Sequence, residues 1–142
     1  MRVVLDTNVA VALVVFADPA LTVLAAHWRV HDFEAVVDDA TLAEFDRVLR
    51  YPDLKLDEAG AVAASRAYHA RCLIVAPSRC DESALPRCAD PDDQMFLRLA
   101  QRSGARWLLT RDKALLECRG KVNFRIATPE AFVPDPPPEG AF

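Results

Sequence analysis

The sequence predicts an α/β fold with a mostly parallel central sheet of about five strands flanked by helices. Three observations predict it. Short apolar runs rich in β-branched residues recur, as in Val3-Val4-Leu5 and Ala35-Val36-Val37. Longer segments with apolar residues at helical spacing separate them. That alternation is the pattern of βαβ units with right-handed crossovers. Polar residues, often acids, directly follow several of the runs, as Asp6, Asp38 and Thr110 do. In such sheets ligands bind beyond the carboxyl ends of the strands.

The first strand is expected over Arg2 to Leu5, followed by a polar turn at Asp6-Thr7-Asn8 and a helix from Val9 to Phe16. Asp18-Pro19 ends it. Ala20 to Val30 reads as a second helix, with Leu21, Leu24 and Trp28 on one face. Ala35 to Val37 is the second strand. Thr41 to Arg50 is an amphipathic helix with Leu42, Phe45 and Leu49 inward, stopped by Tyr51-Pro52-Asp53. Asp57 to Arg71 is an alanine-rich helix opened by an acidic turn. Leu73 to Val75 is a short strand, and Ser78 to Ala89 a loop. Asp90-Pro91-Asp92-Asp93 opens a helix to about Ser103, with Gly104 as its left-handed stop. Arg106 to Leu109 is a strand, Thr110-Arg111-Asp112 leads into a short helix through Glu117, and Phe124 to Ala127 is the last strand. Residues 1–133 form a single domain. Residues 134–142, with Pro136 to Pro138, are read as a loose tail.

Composition narrows the function. A 52% hydrophobic and 27% charged chain is ordinary for a globular domain. The longest apolar stretch, Val9 to Ala17, is too short for a membrane span, and no export signal is evident, which predicts a cytoplasmic protein that does not engage membranes. Cys72, Cys80, Cys88 and Cys118 have no zinc-site spacing and read as free thiols. A net charge of −4 argues against coating nucleic acid by bulk positive charge. It does not exclude a nuclease, because metal-binding acids are neutralised by their ion. His27 and His31 are four apart, but no Glu follows His27 in the metalloprotease pattern.

Four acids fall at comparable places: Asp6 after a strand, Glu44 early in a helix, Asp93 in a first helical turn and Asp112 just after a strand. Each has a local explanation. Asp6 and Asp112 could cap the helices behind them, Thr41-x-x-Glu44 fits a capping box, and Asp90 could cap with Asp93 as reciprocal partner. Capping does not require the caps to converge, yet helices starting at one end of a parallel sheet bring these acids together. Converging carboxylates need protonation or a cation. Mg²⁺ and Mn²⁺ favour oxygen ligands of this kind. Thr7, Asn8 and Thr110 would orient the carboxylates or bound water.

The stretches VVLDTNV, TLAEFDRVL, ADPDDQMFLRLA, WLLTRDKALL and FRIATPEAFV, in this order, resemble the PIN-domain ribonucleases, in particular the VapC-like toxins of bacterial toxin–antitoxin pairs. The resemblance covers nearly the whole chain apart from the tail and implies a PIN-like α/β/α sandwich. It places the family's acidic quartet on Asp6, Glu44, Asp93 and Asp112. Asp90 and Asp92 compete with Asp93, which keeps Phe96, Leu97 and Ala100 in the family's apolar register. Gln94 stands where an acid or Asn often follows, and Arg111 where the family often has Gly.

The resemblance implies a divalent-metal-dependent endoribonuclease acting on single-stranded RNA. Asp6, Glu44, Asp93 and Asp112 would hold one or two Mg²⁺ or Mn²⁺ ions, with Asp90 supporting them, and the products would end in 5′-phosphate and 3′-hydroxyl. The local excess of Arg98, Arg102, Arg106, Arg111, Lys113, Arg119, Lys121 and Arg125 is the candidate phosphate track, with Arg111 and Lys113 nearest the acids. The toxin reading implies an antitoxin partner, docking on Val11 to Phe16 and Ala20 to Trp28, and a possible homodimer. The alternatives are a PIN-like module that binds RNA or protein without cutting, and a phosphatase or phosphotransferase using Asp6 as nucleophile. The second lacks the further acid such enzymes want, since Asn8 stands there. Structured DNA is disfavoured because the chain carries no long clamping insertions.

Overall fold

Val3, Val4 and Leu5 are almost wholly removed from solvent, because β1 (Arg2–Leu5) is covered on both faces. A computed structural model of the chain describes residues 1–134; the tail expected over 134–142 lies, beyond Pro134, outside the described residues. The sheet has five strands, all parallel. Their order is β3-β2-β1-β4-β5, with β2 at Glu34–Val37, β3 at Cys72–Ile74, β4 at Trp107–Leu109 and β5 at Arg125–Ala127.

The chain lays down β1, β2 and β3 to one side, then returns past β1 to build β4 and β5 on the other. Right-handed crossovers running in opposite directions put their helices on opposite faces. The two cores show this. Val3, Leu5, Ala35, Val37, Trp107 and Leu109 pack under α1 (Thr7–Val14), α2 (Thr22–Arg29), α3 (Asp39–Val48) and α4 (Glu58–Arg71). Val4, Val36, Leu108 and Ile126 pack against α5 (Gln94–Ser103) and Leu115 of α6 (Lys113–Leu116). The result is the α/β/α sandwich that the sequence predicts. No single helix among the described residues is long and apolar enough to cross a membrane.

The boundaries shift for local reasons. Thr7 and Asn8 are helical, not a turn, because the Ala10 N–H already bonds to the Asp6 carbonyl at 3.0 Å. The segment expected as one helix from Ala20 opens instead as a 3₁₀ turn at Pro19–Leu21, capped by the Asp18 carboxylate at 2.9 Å from the Ala20 N–H. α3 starts at Asp39 because Asp38 and Thr41 form the capping box, Asp38 Oδ1 accepting from Thr41 N at 2.9 Å and Thr41 Oγ1 from Asp38 N at 3.0 Å. Thr41 is therefore not the cap partner of Glu44. β3 begins one residue early, at Cys72 opposite Ala35. The loop before α5 contains a 3₁₀ turn, Glu82–Ala84, and Asp90 caps another, Pro91–Asp93, from which α5 continues. Gly104 takes the left-handed conformation at φ +68° that ends α5.

Candidate active site

The switch in strand order falls between β1 and β4, and the polar residues that follow these strands are held there by the ladder itself. The Asp6 N–H donates to the Leu109 carbonyl at 3.0 Å, and the Thr110 N–H to Ala127 at 2.9 Å. Both backbones are therefore still part of the sheet when their side chains reach its lip. Asp6 is 5% exposed and Thr110 fully buried.

Thr110 links two acids. Its Oγ1 accepts from the Asp112 N–H at 2.9 Å and lies 2.7 Å from Asp6 Oδ2. A hydroxyl has one proton, and the carboxylate is the partner that needs it, so Thr110 donates to Asp6. Burial pushes the Asp6 carboxyl up from its ordinary value, the Thr110 bond opposes that, and the Asp112 and Glu44 carboxylates push it further up. Asp6 occupies the cap position of α1 but makes no side-chain cap bond.

Asp93 closes the cluster from the other face. Burial pushes its carboxyl up to about 7, with Asp112, Asp6 and Asp90 adding to the rise. Its carboxyl reaches that of Asp112, yet Asp93 Oδ2 is buried with no hydrogen-bond partner. Asp112 uses one oxygen as the cap of α6, Oδ1 accepting from Ala114 N at 2.7 Å and Leu115 N at 3.4 Å. Glu44 is half-buried, like Asp93 and Asp112. It pairs with Arg47 on its own helix and is the weakest of the influences on Asp6. Among the three competing acids, Asp93 meets Asp6 and Asp112, Asp90 is engaged by the Asp92 N–H at 3.0 Å, and Asp92 is exposed.

A family model described as PIN domain matches residues 2–114, a span that contains all four acids. The chain belongs to the PIN-domain family. PIN domains are generally nucleases that use divalent metal ions. No curated protein matches the chain.

The donor set fits such an ion. It is built of oxygens alone, which suits Mg²⁺ or Mn²⁺. Carboxylates that are crowded enough to raise one another are relieved by a cation, and the orphaned Asp93 oxygen has the partner it lacks supplied in the same way. Asp112 acts on both Asp6 and Asp93, and Glu44 acts on Asp6 more weakly. Among the described residues no three acidic, histidine or cysteine side chains stand close enough together to hold a metal ion as they are placed. Of the supporting residues, Thr7 is buried with an unpartnered Oγ1, and Asn8 is exposed.

Several of the cations are engaged by acids or rings. Arg98 pairs with Glu82, Arg102 with Asp38, and Arg111 with Glu130 and, at 3.6 Å, Asp18. Arg125 lies over the Trp107 ring at 5.1 Å. Lys113, exposed beside Asp112, has no ion-pair partner among the described residues.

Sequence reading placed Asp38 after a strand and Arg102 in the phosphate track but did not pair them. Their side chains are 10% and 15% exposed and join the start of α3, the helix that carries Glu44, to α5, the helix that Asp93 directly precedes. The Asp38-x-x-Thr41 spacing was the available signal for half of this. His27 and His31 form no metal pair, since α2 ends at Arg29 and His27 Nδ1 bonds Asp32 at 2.6 Å. The four cysteines are free thiols.

Proposed function

We propose that the protein is a divalent-metal-dependent endoribonuclease of single-stranded RNA, acting in the cytoplasm as the toxin of a toxin–antitoxin pair. The observation that carries this reading is the contact of Asp93 with Asp112 within electrostatic reach of the buried Asp6, with an unpartnered oxygen on Asp93. Asp6, Asp93, Asp112 and Glu44 would hold one or two Mg²⁺ or Mn²⁺ ions. When bound, the metal lowers the pKa of water and offsets charge on the phosphodiester.

The chain's own groups set the stage for that chemistry. Thr110 keeps Asp6 oriented, and the sheet ladder keeps it from moving. The α6 cap holds Asp112 at the same lip. Lys113, and Arg111 if it exchanges Glu130 for a phosphate, supply positive charge beside the acids. Attack by water on phosphorus with departure of the 3′ oxygen leaves 5′-phosphate and 3′-hydroxyl ends. The antitoxin is proposed to dock along α1 and α2. Val11, Leu24 and Trp28 are core there, but Phe16 and Val23 are exposed, and Leu13, Thr22 and Ala25 line a hollow of about 770 Å³.

The test is cleavage of a labelled single-stranded RNA by purified protein with Mg²⁺ or Mn²⁺, beside EDTA and Asp6→Asn. Cleavage that needs metal and is lost in the variant supports the nuclease. A wild type that stays inactive with either metal, after removal of any copurifying partner, makes the chain a binding module instead.

A further inference from the structure

The acids of this cleft repel one another, so something other than their mutual contacts must hold Asp93 in place. The residue that follows it does not point to the cluster as a further ligand. The Gln94 side chain turns back onto the loop ahead of the helix. Its Oε1 accepts from the Cys88 N–H at 2.8 Å, and its Nε2 donates to the Pro86 carbonyl at 3.0 Å. These two backbone groups flank Arg87 and lie on one side of the chain, so a single amide satisfies both, as a neighbouring strand would.

The turn between the two anchor points is fixed at its other end as well. The Asp93 N–H bonds the Asp90 carbonyl at 3.1 Å, and the Asp92 N–H bonds Asp90 Oδ1 at 3.0 Å. Residues 86–94 therefore form a closed strap: the loop is clamped to the first residue of α5, and Asp93 sits at the clamp. Beneath it, α5 is anchored in the core through Phe96 and Leu97, both at most 2% exposed.

We infer that Gln94 is a positioning residue, whose clamp on Pro86 and Cys88 holds Asp93 against Asp6 and Asp112 so that the three can share a divalent cation. This rests on the nuclease reading above. An unclamped strap lets Asp93 retreat from its like-charged neighbours, and the ion must then recover that displacement from its own binding. Loss of groups that orient a metal ligand typically weakens metal affinity about 10- to 100-fold.

The experiment uses the full chain and Gln94→Met, which keeps the length of the side chain and removes both bonds. Pro86 is half-buried and Cys88 is 7% exposed, so the urea transition of the variant is recorded first to verify that it folds. Free Mn²⁺ is followed by electron paramagnetic resonance during titration, with RNA cleavage measured at low and at saturating Mn²⁺. The expected result is Mn²⁺ affinity about tenfold weaker in Gln94→Met, with kcat restored by excess Mn²⁺ and KM for RNA unchanged. A merely structural contact predicts a lower urea midpoint with unaltered Mn²⁺ affinity. Wild-type uptake matched by Gln94→Met overturns this inference alone. Wild-type protein that takes up no Mn²⁺ overturns the nuclease reading and this inference with it.

Discussion

Replacing Asp93 with Asn should make the metal-free protein more stable at neutral and alkaline pH, by an amount that depends on pH in a defined way. Burial and the neighbouring acids hold the Asp93 carboxyl up to about 7, against 3.8 for the free group. Between those two values the folded chain keeps the proton and the unfolded chain has released it. Stability therefore falls as pH rises through this window and levels off above it. Each pH unit is worth about 1.4 kcal/mol, which sets a ceiling of about 4 kcal/mol. Asp93 is only half-buried and water screens its neighbours, so the observable effect is about 1–2 kcal/mol. The amide introduced by Asp93→Asn has no charge to acquire. The stability of Asp93→Asn minus that of wild type should be near zero at pH 4 and should rise to about 1–2 kcal/mol at pH 8. Urea unfolding in EDTA measures it, read by fluorescence of Trp28 and Trp107, both 4% exposed. Mg²⁺ should then reverse the order at pH 8, because an ion bound to the folded state stabilises in proportion to its affinity. A flat difference from pH 4 to 8, or a variant less stable at pH 8 without metal, would refute the crowding of Asp93 against Asp6 and Asp112.

Substitutions at two further sites separate scaffold from chemistry. Asp112→Asn keeps an oxygen for the Ala114 N–H and should retain stability while losing cleavage, whereas Asp112→Ala should lose cleavage and about 1 kcal/mol of cap energy together, as urea midpoints and RNA cleavage will show. Arg102→Met leaves the Asp38 carboxylate buried without its ion pair and should cost about 3 kcal/mol, while adding Asp38→Asn to it should recover part of that loss, a double-mutant cycle being the check.

The sheet and the convergence of acids were legible because both are written in local order. A β-branched run, an acid and a helical segment recur, and a parallel sheet turns that recurrence into one lip. The start of α3 was not legible, because Asp38-x-x-Thr41 and Thr41-x-x-Glu44 both have capping spacing; the structure decides for the first, since Asp38 is still extended at φ −133° and Thr41 is already helical. The ion pairs of the cations were not legible, because a run of basic residues says nothing about distant acids. Arg102 finds Asp38 across 64 residues, and Arg98 finds Glu82 across 16. Gln94 was visible only as the acid it is not. Its partners are backbone atoms, which carry no signature in sequence.

The local explanations and the functional one turn out to be compatible, and that matters for interpreting variants. Asp112 does cap α6, and Asp38 does cap α3. Asp6 sits at a cap position without making the bond. A cap is satisfied by one oxygen, and a carboxylate has two, so Asp112 can stabilise its helix with Oδ1 while its carboxyl also meets Asp93. The residue whose geometry serves no scaffold purpose is then the more telling one. Asp6 forgoes a cap bond that Ser, Thr or Asn could have made, is buried against rising cost, and is held there by a fully buried threonine. Neither helix formation nor sheet packing explains that arrangement, because an apolar or amide residue at position 6 would serve both with a smaller desolvation penalty. A buried carboxyl at a strand end that caps nothing, rather than the number of acids around it, is the feature that a set of helix caps would not produce.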